Sequence, residues 1–464
     1  MLAVFTTCMT GLLVFFLALG SFRALLLLCA IRELWSQWQL PDDEYFRALI
    51  GTDELPPISV VAMTYNEKEQ VVQRVRALLD LEYPRHEVVM VNDGSTDGTM
   101  ETLVQTFSLT RVSPAFTVNI PTQPVLGYYR SRVQSRLLVI DKARGGTADA
   151  LNAGLSAGRY PYGLAAATNI IFEPDALLRL ARPFLLNKSV FSVAAVLRSA
   201  NGGRVVDGKF VPVVSRRFCP GVRTVESLRI FLFERLGWNR IASNLIFPGS
   251  IALFLREHLV AIKGFRTDVE TPGTDLVVRL QRYLTDRGIN ARMLTIPDTV
   301  AWTEFHQRSA RDVSQSRSQL VRQRGLFRVL LEHRKICLNP EYGALGMIAL
   351  PYYWAGYIIA PFLELLGYVG LITGIVAGAL TGSFVWAYLA AVLGFDMLLS
   401  VWTVILEALT DHRYAHRSDI VRLLLYALAE PFGYHQMNAW FRVRAFFTIR
   451  SLRFHGQHSP TRTA

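Results

Sequence analysis

The first segment of the chain is an unbroken apolar run. Residues 2–22 carry no charge, and about 20 apolar residues are enough for a helix to cross a bilayer. Arg23 follows, a second apolar stretch reaches Ile31, and Arg32 comes next. This pattern predicts a transmembrane helix. A cleaved signal peptide is the competing interpretation, but the length of the run and the absence of a positive residue before it favour the helix.

The middle of the chain, residues 57–335, alternates short apolar runs with helical patterns. Apolar, β-branched runs at 58–63, 88–91 and 137–140 are each followed by polar turn residues. Strands that are apolar on both faces and alternate with helices indicate a mainly parallel sheet with helices on both sides. We therefore predict an α/β domain. The stretch 201–221, rich in Gly, Val and Arg, is expected to form a long loop or a hairpin.

Apolar spans return near the end of the α/β domain. Residues 347–380 are apolar except for Glu364, and residues 384–409 are apolar except for Asp396 and Glu407. Because the connection between them is short, we predict a transmembrane helical hairpin. Charge is costly within a bilayer, so the three carboxylates should face the helix bundle, a path through it or a partner. Glu364 and Glu407, near the span ends, could instead lie at the interface.

The last apolar segment, residues 420–449, is interrupted by Glu430, Pro431 and Gly433. An interfacial or partly re-entrant element is favoured over a further span. No acidic residue follows Glu430, whereas five arginines do. We expect this basic tail to bind anionic lipid headgroups.

Composition and charge agree with a membrane protein. Hydrophobic residues make up 51% of the chain, the net charge is +12, and the mean hydropathy is +0.26. Arginines after the spans are typical of the cytoplasmic side, so the α/β domain should be cytoplasmic. No nucleic-acid motif and no CxxC pair is present. The predicted division is an N-terminal transmembrane helix at 1–34, a juxtamembrane linker at 35–56, the α/β domain at 57–335, an interfacial helix and transmembrane hairpin at 336–410, and a membrane-associated basic segment at 411–464.

Two polar loops directly follow predicted strands. One begins with Thr64 and includes Glu67, and the other contains Asp93 within Asn92–Thr99. Ligands of parallel sheets bind beyond the carboxyl ends of the strands. A carboxylate such as that of Asp93 can accept a hydrogen bond from a base or a ribose hydroxyl, and Gly94 lets the backbone turn tightly. Either loop alone is typical of a turn, but together they indicate a nucleoside site.

These loops carry a resemblance to a known family. The runs ISVVAMTYNEKEQV, VVMVNDGSTDGT and VIDKARGGTADALNAGL resemble the start of the GT-A domain of family-two glycosyltransferases. The order of spans and domain is similar to that of bacterial poly-N-acetylglucosamine, hyaluronan and cellulose synthases. The similarity continues through FEPDALLRL, LREHLVAIKGF, DLVVRLQRYL, TIPDTVAWTE and LPYYWAGYIIAPFLELLGY. It implies a Rossmann-like, mainly parallel GT-A domain in the cytoplasm, with transmembrane and interfacial α-helices, in a multi-pass protein of the bacterial inner membrane.

The resemblance also implies a mechanism. Such enzymes bind a nucleotide sugar, usually a uridine diphosphate sugar, and a DxD motif holds a divalent cation on the diphosphate. A later carboxylate acts as general base on the acceptor, and a QxxRW motif lies near the membrane. By this resemblance, nucleotide binding is expected from Thr64, Glu67, Asp93 and Lys142, with Asp149 as a further candidate. A cap at the start of the following helix is an equal alternative for Asp149.

The metal position departs from the family pattern. Ala167, Thr168 and Asn169 stand where the family has its DxD motif, and none of them carries a carboxylate. Hard divalent cations draw most of their binding energy from carboxylate oxygens. We therefore expect no metal at Ala167 and Asn169, and Mg²⁺ or Mn²⁺ only if the protein is active.

The general-base position departs as well. Pro272 and Gly273 occupy it, and neither can accept a proton. Asp275 keeps the acidic character two residues later and is the candidate catalytic carboxylate. A register error would allow Glu270 or Asp268 of the same loop to take its place.

The remaining motif is also altered. The QxxRW position reads Ser318-Gln319-Leu320-Val321-Arg322, without the aromatic and with the arginine displaced, and Thr147 replaces an expected lysine. Arg322 is the candidate for diphosphate contact. Two hypotheses follow: an impaired homologue that serves as partner or nucleotide-binding scaffold for an active synthase or other membrane subunit, or an active glycosyltransferase with rearranged, metal-independent groups. A uridine diphosphate sugar is the expected ligand in both, and nucleic acid in neither.

Overall fold

The structure is a computed structural model that describes residues 2–39, 43–113, 120–166, 170–199, 203–206, 209–241, 251–303, 313–410, 414 and 416–447. The strands in these ranges are β1 (Ile58–Thr64), β2 (His86–Asp93), β3 (Leu109–Val112), β4 (Val125–Ser131), β5 (Leu137–Lys142), β6 (Tyr162–Ala166), β7 (Ile170–Phe172), β8 (Val190–Ser199), β9 (Arg204–Val206), β10 (Lys209–Val211), β11 (Ile251–Leu255) and β12 (Arg292–Thr303).

Helices cover the sheet and extend into the membrane part. They are α1 (Leu2–Trp38), α2 (Asp43–Ala48), α3 (Val71–Leu79), α4 (Thr99–Phe107), α5 (Thr147–Ala157), α6 (Ala176–Leu186), α7 (Phe218–Leu228), α8 (Leu236–Ile241), α9 (Arg256–Ala261), α10 (Pro272–Asp286), α11 (Val313–Glu332), α12 (Leu350–Tyr353), α13 (Ala360–Val376), α14 (Gly382–Leu389), α15 (Phe395–Thr410), α16 (Arg417–Ala429) and α17 (Tyr434–Phe447). Short 3₁₀ turns lie at Leu49–Gly51, Arg334–Ile336 and Pro340–Tyr342, and π-helical segments at Arg229–Arg235, Leu345–Ala349, Trp354–Ile359 and Ala390–Gly394.

Ten strands form one sheet in the order β3-β4-β5-β2-β1-β6-β11-β8-β12-β7. The central strands β5, β2, β1 and β6 are parallel, and every residue of β1 and β2 is buried because helices cover both faces. The predicted α/β fold with a mainly parallel core is confirmed. The outer strands β3, β4 and β7, and β11 within the sheet, pair antiparallel with their neighbours. In the predicted loop or hairpin region, β9 and β10 form a separate antiparallel pair, and α7 follows.

Three helices are long and apolar enough to cross a membrane among the residues that were searched: Ala3–Trp38, Leu345–Val376 and Gly382–Thr410. Their order matches the predicted N-terminal span and hairpin. The first span belongs to one continuous helix, α1, which contains the apolar run and also Arg23 and Arg32. These three helices indicate that the protein is membrane-associated.

The segment after the hairpin folds into two further helices, α16 and α17, joined by a turn at 430–433. α16 packs on α15 and α7, while α17 packs on α13 and α11. The turn lies beside Ser400 of α15, which donates a hydrogen bond of 2.6 Å to Glu430. Both helices leave apolar side chains exposed, among them Leu425 of α16 and Trp440 of α17.

The three acidic side chains of the hairpin spans are all buried in the protein. Glu364, Asp396 and Glu407 are 5%, 5% and 2% exposed, and each has a basic partner. They therefore face the helix bundle, as the cost of a lipid-exposed charge predicts.

Candidate functional site

Three parallel strands end at the same edge of the sheet. β1 ends at Thr64, β2 at Asp93 and β5 at Lys142, and Asp93 lies directly opposite Lys142 in the pairing of β2 with β5. Four of the predicted nucleotide-binding residues, Thr64, Asp93, Lys142 and Asp149, are buried. These residues thus lie together at the edge of the sheet where the parallel strands end.

Asp93 is the centre of this cluster. Its Oδ1 accepts hydrogen bonds from Lys142 Nζ at 2.9 Å and from the Gly145 amide at 2.9 Å, and its Oδ2 accepts from the Gly146 amide at 2.8 Å. A Cβ on Gly94, which has a φ of +70°, would lie 2.8 Å from the Arg144 backbone nitrogen. Glycine is required there because the two loops touch.

Lys142 is fully buried between two carboxylates. Its Nζ lies 2.9 Å from Asp93 and 2.5 Å from Asp149 Oδ1, and Asp149 also accepts from the Gln123 amide at 2.9 Å. Asp149 lies in the first turn of α5, but the helix cap is Gly146. In this arrangement the single lysine is shared by two carboxylates, one from the end of β2 and one from α5, and it joins the loops that carry them.

The loop after β1 is joined to the loop after β2. The Thr64 hydroxyl donates to Glu67 at 2.9 Å, and Glu67 is ion-paired with Arg74. The Glu67 amide donates to Thr99 Oγ1 at 3.0 Å, and the Thr96 amide donates to Asn66 Oδ1 at 2.8 Å. These contacts fix the distance between the two loops.

The exposed face of the cluster consists of residues that the sequence arguments missed. The Arg144 guanidinium lies 3.7 Å from the centroid of the Tyr65 ring, and Arg144 is exposed. A planar cation on an aromatic face is a surface on which a nucleobase can stack. The signal was present in the sequence, since both residues lie within the loops that follow β1 and β5.

The candidate catalytic carboxylate is enclosed by basic groups. Pro272 and Gly273 begin α10, and Asp275 follows in its first turn with no exposed surface. Asp275 Oδ2 lies 2.7 Å from Arg279 Nε, and Oδ1 lies 3.4 Å from Arg266 Nη1 and 3.6 Å from His333 Nε2.

The charge state of Asp275 follows from these neighbours. Burial alone would raise the pKa of Asp275, but the neighbouring His333 ring and the charges of Arg279 and Arg266 lower it overall. The carboxylate therefore stays ionised and paired within the protein.

A second carboxylate of the same loop is more accessible. The Glu270 side chain is 16% exposed, and its oxygens lie 3.8 Å from Arg324 and from Arg328 of α11. Among the described residues, Glu270 Oε2 and Thr271 Oγ1 are buried polar atoms without a hydrogen-bond partner. Gly325 allows α11 to approach this loop, because a Cβ there would lie 2.5 Å from Thr271.

Comparison with known proteins agrees with this fold and these loops. The family model described as glycosyl transferase family 2 matches residues 59–112, which span β1 to β3. A solved mannosyltransferase, PcManGT from Pyrobaculum calidifontis in complex with GDP-Man and Mn²⁺, superposes with a TM-score of 0.51. It is 18% identical, and the match covers 91% of this chain and 99% of that chain. Residues 59–112 are thus similar to family-two glycosyltransferases, and the chain has a GT-A fold.

Curated proteins similar to this chain include poly-β-1,6-N-acetyl-D-glucosamine synthases. That of Staphylococcus epidermidis is 22% identical over 248 residues, which is 52% of this chain and 51% of that protein. That of Staphylococcus aureus strain COL is 26% identical over 128 residues, 27% of this chain and 25% of that protein. The chain spans about half the length, or less, of these relatives.

The two predicted metal positions, Ala167 and Asn169, lie outside the described residues, between β6 and β7. In the part of the chain that the structure describes, no three His, Cys, Asp or Glu side chains form a group that could hold a metal ion. Arg322 is exposed on α11, whereas Arg324 and Arg328 on the same helix contact the loop that contains Glu270.

Proposed function

We propose that this glycosyltransferase-like protein binds a nucleotide sugar, is impaired in transfer, and serves as a partner or scaffold in the synthesis of a cell-surface polysaccharide. The observation that carries the proposal is the enclosure of Asp275 by Arg266, Arg279 and His333. A general base must reach the acceptor hydroxyl and take up its proton. A buried carboxylate that is held ionised by three basic groups does neither.

The sequence supports the same conclusion at two other positions. Ala167 and Asn169 supply no carboxylate for a cation on the diphosphate, and Pro272 and Gly273 supply none for the acceptor. Removing one well-placed electrostatic group typically costs about 10²–10³ in rate, so the loss of several leaves little turnover.

A nucleotide sugar remains the ligand that fits best. Arg144 on Tyr65 offers a stacking face for the base beside the loops that hold Asp93. The solved mannosyltransferase was obtained with GDP-Man, and the curated relatives are synthases of an N-acetylglucosamine polymer. A uridine diphosphate sugar is therefore the first ligand to test.

The proposed setting is the bacterial inner membrane with the GT-A domain in the cytoplasm, divided at the boundaries predicted above. The arginines after the spans support this orientation. The exposed apolar side chains of α16 and α17, with Arg444 beside them, support contact of the last segment with lipid headgroups.

A second candidate function is an active transferase with a rearranged site. Glu270 favours it, because its side chain is partly exposed and its Oε2 accepts no hydrogen bond from the described residues. Glu270 would act as base, and Arg324 would take part of the role of a cation at the diphosphate.

The experiment uses the full chain in lipid nanodiscs with UDP-N-acetylglucosamine, with and without Mg²⁺ or Mn²⁺. Nucleotide binding and UDP release are measured in parallel. We expect saturable binding without UDP release above the rate of the protein-free control. UDP release that is abolished by Glu270→Gln but retained in Asp268→Asn would contradict the proposed impairment and support the second candidate function.

Binding is assigned to the proposed face with a matched pair of variants. Tyr65→Ala is expected to weaken UDP binding, because it removes the ring on which the Arg144 guanidinium lies. Lys188→Ala changes an exposed residue outside the site and should leave binding unchanged. Equal affinities of the two variants would place the nucleotide elsewhere.

A further inference from the structure

The first turn of α17 places a histidine between two membrane-spanning helices. His435 Nε2 lies 3.1 Å from Glu364 Oε2 of α13, and His435 Nδ1 lies 3.2 Å from Asp396 Oδ2 of α15. Both carboxylates are buried. The imidazole therefore links α17 to both α13 and α15.

This geometry fits a protonated ring. A neutral imidazole has one N–H, so its other nitrogen would direct a lone pair at a carboxylate. An imidazolium donates from both nitrogens. Asp396 also accepts from Arg23 Nη1 at 2.8 Å, and Glu364 Oε1 accepts from Tyr368 Oη at 3.0 Å.

We propose that His435 is a proton-binding site that locks the turn between α16 and α17 onto the two spanning helices of the hairpin. The proton completes the bridge. With it, His435 donates a hydrogen bond to α13 and another to α15. Without it, one of the two carboxylates loses the hydrogen bond from His435. The carboxylates do not need the histidine to remain buried, because Arg23 and Tyr368 stay with them.

The charged and titratable groups around His435 come from every helix that packs at this end of α17. They are Arg23 from α1, Glu226 from α7 and Arg229 from the π segment that follows it, Glu364 and Tyr368 from α13, Tyr388 from α14, Asp396 from α15, Glu430 from the turn, and Tyr434 and Arg442 from α17 itself. Most of them line one polar cavity, and the His435 side chain is 19% exposed, so the ring can exchange its proton. α11 contacts the far end of α17 through Phe327 and Phe446.

A second anchor of the same turn does not depend on the histidine. Glu430 is paired with Arg229 at 2.9 Å and accepts from Ser400 at 2.6 Å. The turn is thus held once by the contacts of His435 and once by the contacts of Glu430 with Arg229 and Ser400.

The direction of the pH effect follows from the neighbours. Burial alone would lower the pKa of His435, but the charge of Asp396 and the hydrogen bond to Glu364 raise it overall. A raised value contributes stability that is fully present below the ordinary value of about 6.5 and is lost as the pH rises through the folded-state value.

Hydrogen exchange of the full chain in nanodiscs measures this directly. After correction for intrinsic rates, protection of the amides around residues 434–440 should be constant below about pH 6.5 and fall by up to tenfold per pH unit above it. His435→Gln should give low protection without this pH dependence. His258→Gln, in α9 of the α/β domain, is the matched control and should keep the wild-type profile.

Two further measurements distinguish the loss of the His435 contacts from a general loss of structure. Glu430→Gln should lower protection at every pH and preserve the pH dependence. If His435→Gln fails to fold, ¹⁵N-labelled histidine in the unaltered chain still reports the ring, which should be an imidazolium near neutral pH. A neutral ring there, or the same pH profile in wild type and His435→Gln, would overturn the proposal.

Discussion

The guanidinium of Arg198, near the end of β8, forms an ion pair with the carboxylate of Glu407 in the second helix of the membrane hairpin. The two residues are 209 positions apart, and both side chains are almost fully buried. This pair ties the central sheet of the GT-A domain to a membrane-spanning helix.

Removing the carboxylate should therefore destabilise the whole protein. Glu407→Gln removes a buried carboxylate that pairs with Arg198, which is expected to cost about 3–5 kcal/mol of unfolding free energy. Denaturant unfolding in detergent micelles measures this cost. The double variant Arg198→Met/Glu407→Leu should cost less than the single one, because both members of the buried pair are replaced by apolar side chains. Asp53→Asn, in an exposed pair, should change stability little.

Lys142 is predicted to stabilise the loops that follow β2 and β5. Lys142→Met leaves Asp93 and Asp149 buried close together without the charge between them. We expect a loss of about 3–5 kcal/mol of unfolding free energy, with loss of any UDP binding. Lys188→Met, at an exposed position, should stay within about 0.5 kcal/mol of wild type. Wild-type stability of Lys142→Met would contradict the assignment.

Asp275 should make stability depend on pH on the acid side. Because its folded-state pKa is lowered, its contribution is present above its ordinary value of about 3.9 and is lost as the pH falls through the folded-state value. Asp275→Asn should therefore be less stable than wild type near neutral pH, with the difference narrowing in acid. Unfolding free energies across this range test the prediction. Asp286→Asn, on the same helix but exposed, should match wild type at each pH.

Gly154 marks a close contact between α5 and β1. A Cβ at Gly154 would lie 2.2 Å from Val61 Cγ1. Gly154→Ala should therefore destabilise the protein by about 1–3 kcal/mol, although alanine is the better helix former. Adding Val61→Ala should recover part of the loss by making room. Gly11→Ala, where nothing lies within 4 Å, should cause no loss.

Much of the architecture follows from local patterns in the sequence. The apolar runs of β1, β2 and β5 predict buried parallel strands, and strand ends at one edge predict that Thr64, Asp93 and Lys142 meet. The long apolar runs predict the three spans. These features depend on periodicity and on the length of apolar segments, which a single chain displays directly.

The pairing of charges could be decided only by the tertiary structure. Nothing near Asp275 in the sequence reveals that His333 would enclose it, and nothing near His435 names Glu364 and Asp396 as its partners. Likewise, the sequence suggested Arg322 as the diphosphate contact, while the turn of α11 brings Arg324 to Glu270. Such contacts depend on where helices cross after folding, and the free energy of a buried charge is set by those neighbours and not by the residues beside it in the chain.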